Sequence, residues 1–583
     1  MKQRMDDEQK RVLWKVWKLI KPYSGMIVLS ILLAVVVVLL TLYAPVLVGQ
    51  GVDCIITEGQ VDFSRLFSII KMLVLVILLT GFTQWCMSLL HNKVTYCVIK
   101  DIRNQAFEHL QKLPLKYLDR ESHGDILNKV VSDVDQFSDG LLMGFTQLFT
   151  GVITILGTLG FMLSIDVKIT LVVVCMTPLS FLVAGFIAKK TYTMFHRQSK
   201  MKGKMTSLVN EMVGNQRIVQ AFGYEKRSME RFEDINTELQ KCSLEATFYS
   251  SITNPATRFI NGLVYAGVGI LGAVLSIGHI ISVGQLSCFL SYANQYTKPF
   301  NEISGVVTEM QNALACAARV FEFLEEEEEI PDAEAAVTLT DVTGAVSLNN
   351  VCFSYQKGVE LIKDLNLNVK PGQRIAIVGP TGCGKSTLIN LLMRFYDIDS
   401  GTIRISGKDN MYITRDSLRM NFGMVLQETW LKSGTIKENI AYGNDNVSEE
   451  EMIEAAKAAH AHSFIKRMPE GYDTVISEEG GNLSQGQKQL LCIARVMLRI
   501  PSMLILDEAT SSIDSRTEIK VQEAFEKMME GRTSFVVAHR LSTIKNSDII
   551  LVMKDGNIIE QGNHEELLQQ NGFYANLYQS QFG

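Results

Sequence analysis

Apolar positions form six long runs over the first half of the chain and short, turn-bounded runs over the second. The long runs are about Met26–Val48, Leu66–Leu90, Leu141–Leu163, Ile169–Ala188, Phe259–Ile277 and Ile280–Phe300. Each is long enough to cross a hydrocarbon core of about 30 Å as a helix of roughly 20 residues. The third and fourth are separated only by Ser164–Lys168, and the last two by a turn near Gly278. Asn294, Gln295, Tyr296 and Lys298 make the end of the sixth run polar. Six crossings put both ends of the chain on one side. The N-terminal tail and the long connections 91–140 and 189–258 are rich in Lys and Arg. The first outer loop, Gln50–Ser64, has Asp53, Glu58 and Asp62 but no basic residue. The excess of positive charge predicts that the long connections and the C-terminal half are cytoplasmic.

Those connections carry helical periodicity of their own. Val94, Val98, Ile102, Ala106 and Leu110 recur every fourth position, so the second membrane helix is expected to continue far into the cytoplasm. Pro114 breaks that pattern. Ser122 and Asp125 then read as a helix start, with Ile126, Val130, Val134 and Phe137 returning toward the third crossing. Leu208, Met212, Ile218, Val219, Phe222 and Phe232 form broken stripes of the same kind. Residues 1–24 interleave Lys10, Arg11, Lys15, Lys18 and Lys21 with apolar residues and two tryptophans, as a helix lying on a membrane surface does. A membrane domain over 25–324 follows. The acidic run Glu325–Glu329 and Pro331 mark a solvated linker, 325–342. From 343 to 583, strands, glycine turns and helices alternate, which predicts an α/β nucleotide-binding domain.

Composition supports a chain that is part membrane and part soluble. Hydrophobic residues make up 47% of the 583 positions and charged residues 20%. A net charge of -6 is small for this length and argues against a nucleic-acid binder. The 10 cysteines are scattered without zinc spacing, and those of the second half suit a reducing compartment. The charged first twenty residues and the long run behind them do not read as a cleavable signal peptide.

Chemistry concentrates in the second half. Ile375–Val378 runs as a buried strand into Gly379-Pro380-Thr381-Gly382-Cys383-Gly384-Lys385-Ser386-Thr387, and a helical pattern follows. Strand, glycine loop and helix start make a phosphate loop. Its backbone amides and helix N-terminus attract phosphates, Lys385 reaches the outer ones, and Ser386 ligates Mg2+. A second apolar run, Met503–Leu506, ends in Asp507-Glu508. Carboxylates at the C-terminal edge of a parallel strand sit where ligands bind. Asp507 is expected to hold Mg2+ and Glu508 to polarise the attacking water. Upstream, Leu483-Ser484-Gln485-Gly486-Gln487 opens a long helix and offers a second anion surface.

The set and order of these motifs, with Gln427, Ser511-Ser512-Ile513-Asp514 and His539, resembles the ATP-binding cassette. With six membrane segments in front, the chain resembles a half-size ABC exporter. The resemblance implies that Tyr355 stacks on adenine, that Gln427 senses Mg2+ and that His539 contacts the γ-phosphate. It assigns Asp514 to the loop that crosses a cassette dimer, and Glu478–Gly481 to contact with the cytoplasmic connections. It further implies that two cassettes face head to tail, each ATP lying between one chain's phosphate loop and the other's Ser484–Gln487 signature. A working unit then needs a second half-transporter chain. The family signature is LSGGQ, and Gln485 departs from it, while Lys385, Asp507, Glu508 and His539 are all present. That combination resembles one subunit of bacterial heterodimeric multidrug exporters, and favours a different partner chain over an identical one.

The implied activity is ATP-driven export from the cytoplasm or inner leaflet by alternating access. Turns near Leu115–Ser122 and Gln220–Arg227 would carry the motion. The cargo would be hydrophobic or amphipathic: drugs, lipids or peptides. Gln84, Trp85, Asn261, Tyr265, Asn294 and Tyr296 are membrane residues that either line a path or pack helices. A homodimeric lipid flippase, an importer of the same fold and a membrane-anchored ATPase sensor are the competing readings.

Overall fold

The computed structural model describes residues 7–57, 60–356, 358–426, 429–444, 446–477, 481–507, 513–538 and 541–582. They fall into two compact units. The first comprises 1–111 and 122–326, and the second 112–121 and 327–583.

The first unit is helical. Its main helices are Ser24–Asp53, Phe63–Lys112, Val167–Gly214, Glu225–Ile277 and Val283–Leu324. The Phe63–Lys112 helix has 50 residues. At 1.5 Å per residue it is about 75 Å long, more than twice a hydrocarbon core. The connections are thus extensions of membrane helices rather than a compact cytoplasmic insertion. The break at Pro114 and the start at Ser122 are both present, and Ser122 Oγ accepts from Asp125 N at 3.1 Å.

Three helices among the described residues meet a strict length-and-apolarity test for crossing, Lys10–Asp53, Phe63–Lys112 and Arg258–Ile277. The third apolar run contains a π-turn, Gly144–Phe149, followed by the regular helix Thr150–Ile165. The polar end of the sixth run continues into the cytoplasmic part of Val283–Leu324. Leu75, Leu78 and Phe82 stand exposed on one long helix, as lipid-facing side chains do. Tyr292 and Tyr296 are buried among apolar neighbours, so Tyr296 packs helices. Near the outer loops a Cβ on Gly284 would lie 2.0 Å from Gly49 O, so these two backbones touch. Asp53 ties the same ends, accepting from Gly284 N at 2.8 Å and Ser282 Oγ at 2.7 Å.

The N-terminal helix Asp7–Ile20 packs one face and exposes another. Val12, Val16 and Ile20 are buried beside Val94, Val98 and Phe321, whereas Trp14 and Trp17 are exposed. Arg11 and Lys15 both reach Glu325, at 3.1 and 2.5 Å. The acidic run is therefore not a uniformly solvated spacer.

Among the described residues the second unit holds two main sheets and a short antiparallel pair, Gly434–Thr435 with Val475–Ile476. A six-stranded sheet has the order Asn557–Gly562, Ile549–Lys554, Arg374–Val378, Thr533–Val537, Met503–Asp507, Phe422–Val425. All neighbours are parallel except the first pair. An antiparallel sheet is built from Ile362–Val369, Val346–Phe353, Ser400–Ile405 and Lys408–Asp409. The central strands are buried on both faces, which is why they read as unbroken apolar runs. Met503 and Ile505 join one core with the Lys385–Leu392 helix. Leu504 and Leu506 join another with the Gln485–Leu498 and Ser515–Met529 helices.

The linker is clamped to this unit by buried arginines. Arg415, with its side chain 8% exposed, lies 3.0 Å from Glu329 and 2.9 Å from Asp332. Arg394, 2% exposed, pairs with Asp397 at 3.1 Å and donates to Asn410 O at 3.1 Å. Glu329 and Asp332 are only partly solvated because a desolvated guanidinium faces each of them. Removing Arg415 takes charge-assisted hydrogen bonds from Glu329 and Asp332, which keep Arg419 at 3.3 Å and Arg394 at 3.5 Å, at a cost of about 2 kcal/mol. Arg415→Ala is expected to lower the stability of the second unit by about that amount. Trp430, the one tryptophan of this unit, reports it by denaturant titration once Trp14, Trp17 and Trp85 are changed to Phe. Lys437→Ala, which removes the exposed pair with Asp473, is expected to leave the midpoint unchanged.

Candidate functional site

Three strands bring the chemical residues to one sheet edge. Asp507 pairs with Val537, and Val537 with Ile377, so Arg374–Val378, Thr533–Val537 and Met503–Asp507 end at one level. Neighbouring strands are about 4.8 Å apart, which places the phosphate loop and Asp507 two strand spacings from each other. The intervening strand leads through Ala538 to His539. Glu508, His539 and Gln427 lie outside the described residues, as do Glu478–Gly480.

The phosphate loop has the geometry its glycines predict. Gly379 has φ 155° and Gly384 φ 100°. A Cβ on Gly379 would meet Met553 O at 2.2 Å, a backbone atom that cannot swing away. Gly384 is the left-handed N-cap of the helix Lys385–Leu392. Lys385 Nζ sits within the loop, donating to Gly379 O at 2.9 Å and Pro380 O at 3.1 Å. Cys383 is buried, its Sγ 4.0 Å from the same ammonium. Gly379, Pro380, Thr381 and Lys385 open on a cavity of about 160 Å³ whose far wall is Tyr574 and Tyr578. A ring of backbone amides at positive φ around a central ammonium fits a polyphosphate.

Tyr355 stands beside this loop, and its hydroxyl donates to Thr387 Oγ1 at 3.1 Å. Its ring meets Phe353 edge-on, with centroids 4.9 Å apart, and Tyr396 likewise at 5.0 Å. Tyr396 is buried, and its hydroxyl bonds the Asp119 carboxylate on the Leu115–Arg120 turn. Burial, and then that bond, push the Tyr396 phenol above its ordinary pKa. The turn belongs to the second unit, with Leu115 packed on its main core and Tyr117 buried.

The signature residues open the Gln485–Leu498 helix through a reciprocal cap. Ser484 Oγ accepts from Gln487 N at 3.3 Å, and Ser484 N donates to Gln487 Oε1 at 2.9 Å. Gln487 therefore serves the cap, while the Ser484 hydroxyl proton stays available to donate. A Cβ on Gly486 would fall 2.4 Å from Thr517 Cγ2, so this glycine also permits close packing of two helices. Gln485 Nε2 donates to Thr429 Oγ1 at 3.3 Å, which turns the unusual signature side chain back toward its own chain. Asp514 caps the next helix by accepting from Thr517 N at 3.0 Å, and that bond holds its carboxyl below the ordinary range.

The structure thus brings the phosphate loop and Asp507 to one edge of the six-stranded sheet, and Tyr355, from just past the end of an antiparallel strand, against Thr387. It seats the signature helix in the other hydrophobic core. Sequence reasoning missed Tyr396, Thr429 and the tyrosine wall at 574 and 578. None of these stands in a pattern that periodicity or a motif would single out.

Comparison with known proteins agrees with this architecture. The ABC transporter transmembrane region family matches residues 27–300, and the ABC transporter family matches 362–511. An uncharacterized ABC transporter ATP-binding protein of Bacillus subtilis (strain 168), YfiC, is 37% identical over 99% of this chain and 95% of its own. A fatty acid ABC transporter ATP-binding/permease protein of Mycobacterium bovis is 39% identical over 92% of this chain and 84% of its own. An ATP-dependent lipid A-core flippase of Syntrophus aciditrophicus is 32% identical over 100% of this chain and 95% of its own. A solved bacterial Atm1-family ABC exporter with ATP bound superposes with TM-score 0.76 at 28% identity, over 97% of this chain and 98% of its own. A helical membrane unit joined to a phosphate-loop ATPase unit defines a membrane transporter driven by nucleotide hydrolysis. The chain belongs to the ABC transporter family, as a half-size exporter. It is a multi-pass membrane protein whose ATPase domain is cytoplasmic.

Gly379 gives the most direct test of the loop geometry. Gly379→Ala is expected to abolish ATP binding, measured by a fluorescent ATP analogue, because the new methyl meets Met553 O. Retained affinity would show that the loop adopts a different path when it binds.

Proposed function

We propose that this chain is one subunit of a dimeric exporter, with a different half-transporter as its partner, that moves hydrophobic or amphipathic compounds out of the cytoplasm or inner leaflet. The carrying observation is that one chain supplies two separated half-sites, a phosphate loop in one core and a signature helix in another. A second chain facing it head to tail would complete both.

The residue roles combine the chemistry of the phosphate loop and the acidic strand end with what the resemblance to the ABC cassette implies for Tyr355, Gln427, His539 and Asp514. Lys385 and the loop amides bind the β- and γ-phosphates, and Tyr355 carries the adenine. Ser386, Asp507 and Gln427 would hold an Mg2+ ion, which would supply positive charge against the charge developing on the phosphates. Glu508 orients and polarises the attacking water, and His539 contacts the γ-phosphate. The partner's phosphates would meet the Ser484 hydroxyl and the amides beside Gly486. Asp514 stands at the crossing loop between cassettes. Closure on ATP stabilises one membrane conformation over the other only through its differential affinity for the two. The long Phe63–Lys112 helix and the Leu115–Arg120 turn are a continuous route for that closure to reach the membrane.

The cargo class rests on relatives and on surface chemistry. Relatives named for fatty acid and for lipid A-core support an amphipathic cargo. The membrane helices also bury the amide oxygens Asn261 Oδ1 and Gln295 Oε1 without a hydrogen-bond partner among the described residues. A buried amide without a partner costs about 1–3 kcal/mol, which a cargo donor group would offset. Gln485 supports a distinct partner chain, because the signature it alters faces the other subunit's ATP.

Reconstitution into proteoliposomes tests the proposal. ATP added outside is expected to move a fluorescent amphipathic lipid between leaflets or into the lumen. Glu508→Gln is expected to keep ATP binding while turnover falls about 100-fold or more, the range for loss of a general base. ATP hydrolysis without any vectorial movement across a panel of lipids and amphipathic dyes would favour an ATPase sensor instead.

A further inference from the structure

We infer that Tyr396 is a positioning residue that reports occupancy of the adenine platform to the Leu115–Arg120 turn. The inference rests on the reading of Tyr355 as that platform. Its physical basis is a short, continuous chain of contacts within the second unit. The Tyr355 ring meets the Tyr396 ring edge-on at 5.0 Å and 88°. Phe353 closes the triangle at 4.9 Å to Tyr355 and 5.7 Å to Tyr396. The Tyr396 hydroxyl leaves this cluster on the other side and holds the Asp119 carboxylate.

Three rings in mutual contact cannot absorb a displacement singly. Interiors at this density transmit a shift to the next side chain. A base laid on Tyr355 fixes that ring, and Tyr396 must follow or lose its edge contact. Hydrogen bonds weaken steeply when misaligned, so a tilt of Tyr396 changes its hold on Asp119. The turn is in turn held to the unit by Leu115, Tyr117 and the bond from Glu329 N to Lys112 O at 2.8 Å. It is also the direct continuation of a 50-residue membrane helix. The signal is therefore carried by the base. The triphosphate would be gripped by loop amides, which reach this cluster through the Tyr355–Thr387 bond and the Lys385–Leu392 helix rather than through the ring face.

Tyr396→Phe keeps the ring and removes only the hydroxyl, so the aromatic packing survives. Asp119→Asn changes the other end of the same bond on an exposed turn. The experiment is hydrogen exchange of the purified complex in lipid nanodiscs, read at the Leu115–Arg120 turn. Three conditions are compared: no ligand, ATP with EDTA, and inorganic tripolyphosphate with EDTA. In the unmodified chain, ATP is expected to slow exchange of the turn and tripolyphosphate is not. In Tyr396→Phe and Asp119→Asn, ATP affinity is expected to stay within about twofold while the ATP-dependent slowing falls about fivefold or more.

Two results overturn the inference. One is full ATP-dependent slowing in Tyr396→Phe, or equal slowing by tripolyphosphate. The other is loss of ATP binding in Tyr396→Phe, which would make the hydroxyl part of the nucleotide site itself. None of these readouts requires cargo, so an absence of transport would leave the test intact and count only against the exporter reading.

Discussion

Because Asp507 is level with Val537 and Val537 with Ile377, the loop, the acid and the segment leading to His539 all emerge at one edge of one sheet. That register brings to one level stretches that lie far apart in sequence. The register holds because each of these strands is buried on both faces, with alternate side chains feeding two different cores. A slip by one residue would swap those faces and move Asp507 away from the phosphate loop. The same arrangement separates the two half-sites. The helix after the phosphate loop belongs to one core and the signature helix to another, which supports the proposal that two chains complete the site.

Much of this was legible in the sequence because the relevant constraints are local. Glycines at 379 and 384 are demanded by backbone conformation, and their spacing displays that demand directly. Asp507 ends an unbroken apolar run, as a strand buried on both faces must. The cytoplasmic extension beyond Leu90 was visible as a four-residue period from Val94 to Leu110. What periodicity does not reveal is pairing at a distance. Glu329 and Asp332 look like members of a solvated acidic stretch until Arg415 and Arg394 are seen buried against that region. Tyr396 follows a helix whose pattern has already ended, and only the tertiary fold puts it between Tyr355 and Asp119. Gln485 appears as a departure from a motif, and the structure adds that its amide is engaged by Thr429 within the same chain.

The membrane unit obeys a different constraint. Lipid offers no partner for backbone groups, so spanning segments remain helical and simply continue into the cytoplasm as long rods. This explains how a turn such as Leu115–Arg120 can belong to the ATPase unit while its two flanking helices belong to the membrane unit.

The central claim is that the ATP site is completed between two chains. Mass spectrometry of the intact complex, purified from membranes at native expression, tests it most directly. The account predicts an ATPase-active complex of two half-transporter chains, one of them this 65.2 kDa chain and the other of a different mass. An active species containing one copy of this chain and no second half-transporter would contradict it.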